Sequence, residues 1–377
     1  MKILADENIA LVHEAFGHFG ELRTVPGRSI TAAMLADIDA LLVRSVTRVD
    51  ASLLSASPCR FVGTATSGID HVDTAWLRQH DIVFADAHGC NANSVVDYVL
   101  AALAALSGRD GFDWQSSSVG IIGCGAVGSR LAQRLNALDV QLKIHDPFLP
   151  ESHPLGLYFR PLAEVMQQQI VTLHTPLTLV GEWPTFHMLD QVTLAWLRSD
   201  AILINAARGE IIDTAALLAR MNQCPGLRVV LDAWEGEPEV NQQLLQRVDI
   251  GTPHIAGYSE PGKIDGTAQV QQAFCKTFGL KSTPALFQLQ HELVAVPVPG
   301  ASGHQQWLNQ CVLSAYDIWR DHQAMQQLSG KETAAHGFDA LRKGYPLRRE
   351  FGQLKVKSGE GVIPDTLLLQ LAALGFA

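Results

Sequence analysis

A short apolar strand that breaks into Gly-x-Gly-x-x-Gly and passes at once into a helical pattern leaves a chain few ways to fold. Here the stretch is Ser118-Val119-Gly120-Ile121-Ile122-Gly123-Cys124-Gly125-Ala126-Val127-Gly128-Ser129-Arg130, with Leu131, Leu135 and Leu138 continuing at helical spacing. Gly123 suits a tight turn, Gly125 lets the backbone approach a pyrophosphate, and Gly128 lets the new helix pack close to its strand. Gly123, Gly125, Ala126, Val127 and Gly128 are therefore candidate phosphate contacts, at a helix N-terminus whose N–H groups and dipole favour negative charge. Glycines alone also mark ordinary turns, so the surroundings matter. A second apolar run, Val140 to His145, ends in Asp146, eighteen residues after Gly128. An acid there can bind ribose hydroxyls, and it favours NAD over NADP because a 2′-phosphate would face a carboxylate.

The rest of the chain bounds this reading. At 377 residues it is too long for one typical core, so two or three domains are expected. A net charge of −10 argues against a nucleic-acid surface, though not against a local basic pocket. The longest apolar stretch, Val95 to Leu106, contains Asp97 and is too short to span a bilayer, so no membrane partner is expected. The six cysteines form no C-x-x-C pair, and the chain enters a strand at Lys2 with early acids; both point to reduced thiols in the cytoplasm. No metal site is expected.

Before the glycine loop, strand-like runs at Lys2–Ala5, Ala40–Arg44, Phe61–Thr64 and Ile82–Phe84 alternate with helical patterns, which implies a parallel sheet covered on both faces. Asn93 or Ser94 can cap an almost wholly apolar helix, stopped by Ser107-Gly108. Further strands are expected near 119–122, 140–145, 170–174, 201–206, 228–232 and 249–252. Just past their ends stand Asp146, Thr175, Arg208, Asp232 and His254. In a doubly wound sheet those ends line one crevice where ligands bind. From 281 onward the pattern is a strand-like His291–Val298, a Pro-Gly turn, one helix from about His304 to Leu328, and a helix from Thr366 to Leu374. About ninety residues make a thin core, so the apolar helix faces pack either on a partner subunit or on the same chain.

Hydride transfer to NAD requires a group that takes the hydroxyl proton, a carboxylate beside it, and a cation for the developing carbonyl. His254 in Thr-Pro-His-Ile-Ala-Gly is the candidate base. Glu237 can stabilise its imidazolium, with Glu235 as rival. Arg208 in Asn-Ala-Ala-Arg-Gly suits a substrate carboxylate.

The glycine loop with Asp146, the 205–209 segment, Asp232 to Pro238 and 252–257 together resemble the D-isomer-specific 2-hydroxyacid dehydrogenase family, in order and spacing, over roughly residues 1 to 280. The resemblance implies Arg208, Glu237 and His254 as catalytic residues. It implies cofactor contacts at the glycine loop, Asp146, Thr175, Asp232 and Gly257, with NAD as cofactor. The segments at 43–47, 63–71 and 257–259 carry it further and imply Ser45, Thr66 and Tyr258 as substrate contacts. The implied substrate is a small phosphorylated hydroxy acid; rivals are other D-2-hydroxy acids, or an NAD-sensing corepressor role. Arg44 is placed for the phosphate, and the basic run Arg342 to Arg349 could reach in from a partner. The implied architecture is α/β: two Rossmann/flavodoxin-like doubly wound domains with a cleft between them, substrate-binding at 1–93 and 255–280 and NAD-binding at 94–254. A small α+β domain at 281–377 would form a homodimer.

Overall fold

The computed structural model describes residues 1–287, 294–298, 303–358 and 363–377. Two compact units emerge, Met1–Asn91 with Ser259–His291 and Ala92–Tyr258 with Glu292–Ala377.

The first unit holds five parallel strands, β1 (Lys2–Asp6), β2 (Glu21–Val25), β3 (Ala40–Val43), β4 (Phe61–Thr64) and β5 (Val83–Ala85), in the order β2-β1-β3-β4-β5. β3 and β4 are buried at every residue, as expected of strands covered on both faces. β2 was not legible in the sequence. It is an edge strand that exposes Glu21 and Arg23, so it lacks the apolar run that marked its neighbours. The helix Glu260–Phe278 closes one face: Phe274 meets Phe16 and Phe61 edge-on at 5.4 and 5.5 Å. Ser259 caps that helix by accepting from Gly262 N–H at 3.1 Å.

The second unit is built on a parallel six-stranded sheet: β6 (Ser118–Ile122), β7 (Gln141–His145), β8 (Ile170–Leu173), β9 (Ile202–Asn205), β10 (Arg228–Leu231) and β11 (Ile250–Gly251), in the order β11-β10-β9-β8-β6-β7. Every strand of this sheet stands where the apolar runs put it. The order reverses between β6 and β8, which places the ligand crevice of such a sheet at their carboxyl ends.

The helix Ala92–Asp110 is buried on nearly all sides. Ser107-Gly108 does not stop it; it continues to Asp110 and ends at Gly111, whose N–H reaches Ser107 O at 2.9 Å with φ +74°. Ser94 lies inside its first turn instead of capping it, and its Oγ donates to Ala256 O at 2.8 Å. Within this helix Asp97 pairs with Arg134 at 2.6 Å, with side-chain exposures of 2% and 15%. Its other oxygen accepts from Phe351 N–H at 2.9 Å.

The C-terminal segment belongs to this second unit. The expected single helix over 304–328 is two, His304–Ala315 and Ile318–Gln326, because Tyr316 is extended and Asp317 caps a new start by accepting from Trp319 N–H at 3.2 Å. Trp307, Leu308, Cys311 and Val312 pack into the same hydrophobic cluster as the helix Ala92–Asp110, so this apolar face is covered by its own chain. A helix missed in the sequence, Ala334–Lys343, follows, and the last helix is Asp365–Ala373. β12 (Val294–Val298) pairs in parallel with β13 (Leu354–Ser358). The start of the expected strand at 291–293 and the turn at 299–300 lie outside the described residues. Among the described residues, no helix is long and apolar enough to cross a membrane.

Candidate active site

The carboxyl edge of the six-stranded sheet gathers the residues picked out by the sequence motifs. At the end of β6, Gly123 turns at φ +92° beside the end of β8. A Cβ on Gly128 would lie 1.9 Å from Gly123 O, so only glycine permits the helix Ala126–Asn136 to start this close to its strand. Above Gly125 there is open space within 4 Å of where a Cβ would stand, and the helix starts there with no side-chain cap. Asp146, at the end of β7, ties the loop down: its Oδ2 accepts from Cys124 N–H at 2.8 Å and its Oδ1 from Phe148 N–H at 3.1 Å. Thr175, just past β8, presents a buried Oγ1 with no protein partner. A buried hydroxyl left in this way is what a ligand's polar group would satisfy. Open space over a helix N-terminus, an acid beside it and an unpartnered hydroxyl across the β6–β8 reversal fit a dinucleotide.

β9 delivers Arg208. Asn205 folds the turn around it, accepting from Ala207 N–H at 3.1 Å and donating to Arg208 O at 2.8 Å. The next residue, Gly209, lies against the following loop; a Cβ there would stand 1.9 Å from the carbonyl carbon of Trp234. The loop carrying Arg208 and the loop carrying Glu237 therefore touch backbone to backbone. Gly209→Ala should push them apart and lower kcat/KM about 10²-fold, measured by steady-state kinetics; an unchanged value would show that the spacing of these loops is immaterial.

Past β10 stands Asp232, the next of the expected cofactor contacts. It is 1% exposed. Its Oδ1 accepts from Thr252 Oγ1 at 2.6 Å and Ile255 N–H at 2.7 Å, and its Oδ2 from Ala256 N–H at 2.8 Å. Asp232 thus pins the turn after β11, in which His254 adopts φ +54°, a region that costs a non-glycine residue energy and needs such support. Tyr98 extends the network through Thr252 Oγ1 at 2.8 Å.

In that turn His254 Nδ1 meets Glu237 Oε1 at 2.5 Å, with side-chain exposures of 26% and 21%. Glu237 also accepts from Trp234 N–H at 3.2 Å. Nδ1 is thereby held as the donor, which directs the lone pair of a neutral ring to Nε2. Burial on its own would raise the Glu237 carboxyl; the charge and hydrogen bond of His254, with the Arg342 guanidinium, outweigh it and hold the group below the usual carboxylate range. Glu235, the rival acid, is turned elsewhere. It meets His187 Nε2 at 2.5 Å and accepts from Thr214 N–H at 3.0 Å, a second His–Glu pair that no motif announced.

The proposed substrate residues fall in both units. In the first, Ser45 is exposed and Arg44 half-exposed just past β3, where Thr47 fastens the loop to Gly27 O at 2.9 Å. Thr66, past β4, shares a hydrogen bond with Thr64 at 2.8 Å, and Thr64 in turn meets His71 at 3.1 Å. In the second, Tyr258 stands edge-on to Tyr345 at 5.9 Å, with the Arg342 guanidinium 5.7 Å from its ring centre. Arg348, from the basic run, is 7% exposed, and its Nη2 donates to Ala256 O and to Ser94, which braces the turn from within.

Comparison with known proteins agrees with this geometry. Residues 102–256 match the NAD-binding domain of the D-isomer-specific 2-hydroxyacid dehydrogenases, and residues 290–375 match a domain of unknown function. The erythronate-4-phosphate dehydrogenase of Chromohalobacter salexigens is 45% identical over 371 residues, which is 97% of both chains. That of Escherichia fergusonii is 47% identical over 94% of each. The chain belongs to the erythronate-4-phosphate dehydrogenase family. As a member, it is an NAD-dependent 2-hydroxyacid dehydrogenase. Among solved structures, the NAD+-bound 3-phosphoglycerate dehydrogenase of Entamoeba histolytica shares the fold, with a TM-score of 0.63 and 23% identity over 74% of this chain and 95% of that one.

Proposed function

We propose that this chain oxidises 4-phospho-D-erythronate to 2-oxo-3-hydroxy-4-phosphobutanoate, a step of pyridoxal 5′-phosphate biosynthesis. The observation that carries the reading is the contact of His254 Nδ1 with Glu237 Oε1, at 2.5 Å, on the ligand edge of a dinucleotide sheet. NAD, held by the 123–128 loop, Asp146, Thr175, Asp232 and Gly257, would supply the acceptor for the C2 hydride. Arg208 grips the C1 carboxylate, which fixes C2 and polarises the oxygen that becomes a carbonyl. His254 takes the C2 hydroxyl proton at Nε2, and Glu237 stabilises the resulting imidazolium. Ser45, Thr66 and Tyr258 orient the substrate, and Arg44 draws in its phosphate. The unit that carries Ser45 and Thr66 is then the substrate lobe. Exposed Leu347, Leu368 and Leu369, at 66%, 46% and 72%, support a homodimer built on the C-terminal segment. Six free cysteines support a cytoplasmic setting.

A substrate panel tests the proposal by NADH formation. Turnover of 4-phospho-D-erythronate with NAD should exceed that of D-lactate by roughly 10⁴ in kcat/KM, since a site built for polar groups rejects analogues that lack them, and NADP should be the poorer cofactor. Preference for 3-phosphoglycerate or D-lactate would reject it.

A further inference from the structure

The loops that deliver Arg208 and Glu237 are joined a second time, by a residue that no motif marked. His187 lies between β8 and β9. Its backbone N–H donates to Glu210 O at 2.8 Å, just past Arg208. The pairing continues from Leu189 N–H to Ile211 O and from Asp213 N–H to Leu189 O, each at 3.0 Å. The ring turns the other way. Its Nε2 meets Glu235 Oε1 at 2.5 Å, and Gly236, at φ +75°, makes the bend from Glu235 to Glu237. One residue thus holds the Arg208 loop by its backbone and the Glu237 loop by its side chain.

Both members of this pair are fixed. His187 stands at φ +47°, a strained conformation that persists only where the surroundings determine it and that gathers at functional sites. Its ring stacks on Phe186, with centroids 4.1 Å apart, and Asp213 Oδ2 lies 4.0 Å from Nδ1. The other oxygen of Glu235 accepts from Thr214 N–H at 3.0 Å, at the start of the helix Thr214–Gln223. Burial on its own would raise the Glu235 carboxyl; the hydrogen bonds from His187 and Thr214 outweigh it and hold the group below the usual carboxylate range. The carboxylate therefore accepts and Nε2 donates. Gly209 sets how closely the two loops can approach, and this pair stops them from parting. We propose that His187 is a positioning residue for the reaction: through Glu235 it clasps the Glu237 loop to the Arg208 loop, and so fixes the substrate's guanidinium grip relative to the acid–base pair. The inference rests on Arg208, Glu237 and His254 acting as read above.

The test is steady-state kinetics of the full-length enzyme with NAD, on the substrate that wild type turns over fastest. Asparagine tolerates a positive φ and keeps the backbone bond to Glu210, but its side chain is too short to reach Glu235. His187→Asn should lower kcat about tenfold while substrate KM and the Kd for NAD stay within about threefold, because the binding groups remain and only their alignment is lost. His187→Gln carries an amide N–H to about where Nε2 stands and should recover most of kcat. Glu235→Ala breaks the same contact from the other side and should show the same split between kcat and KM; it also covers the case in which the asparagine variant does not fold. Because both act through one contact, the double variant should be no slower than the slower single one. Unchanged kcat in folded His187→Asn overturns the inference, as does a glutamine variant equally slow, or losses that multiply in the double variant. Full kcat in His254→Ala is a separate failure, that of the base assignment, and leaves the His187 ratios to decide the clasp by themselves.

Discussion

His254→Ala is expected to lower kcat by about 10²–10⁴, the usual worth of a positioned general base, while NAD binding followed by fluorescence titration stays within a few-fold of wild type. The ring does two things that alanine cannot. It offers Nε2 to the substrate hydroxyl, and it carries the proton as an imidazolium stabilised by Glu237 2.5 Å away. Arg208 reaches the site from β9 and a separate loop, so substrate binding should persist and the loss should appear in kcat more than in KM. Full kcat in the variant would remove His254 from the mechanism.

Arg134→Met should destabilise the protein by about 3–5 kcal/mol, because it strands a buried carboxylate. Asp97 sits in an apolar helix with Arg134 at 2.6 Å. Even with that partner, burial pushes the Asp97 carboxyl up to about 6, from an ordinary value of 3.8. The native state therefore binds this proton more readily than the unfolded chain, and the group's contribution to stability falls as pH rises from about 4 to 6. Without Arg134 the native carboxyl moves higher still, so the variant should lose more stability at pH 8 than at pH 5. Urea denaturation at the two pH values measures this. Equal losses at both would show that Asp97 is not the group left exposed to the interior.

Much of the fold was written in local patterns. Apart from the half-exposed edge strand β7, the strands of the second sheet are short buried apolar runs, and most lead to a polar residue, so both their position and their ligand edge could be read off. β2 escaped because an edge strand need not be apolar. Ser107-Gly108 misled by less than a turn: the buried part of the helix does end at Ser107, but exposed Gly108, Arg109 and Asp110 continue it to Gly111, since a single glycine is only a weak breaker. The break at Tyr316–Asp317 and the helix Ala334–Lys343 lie in a segment whose apolar residues serve a surface on the same chain, and local spacing does not name that surface.

Two parallel sheets, the dinucleotide loop and the short list from which the catalytic groups come are legible locally, because each is encoded within a few consecutive residues. The choice between the two rival acids for each histidine is made by packing. Glu235 and Glu237 share one loop, and only the path of the backbone past Gly209 and Trp234 turns one to His187 and the other to His254. Packing also set the Asp232 carboxylate on the turn that carries His254. Such choices depend on groups far apart in sequence, whose distance is set by packing and not by spacing.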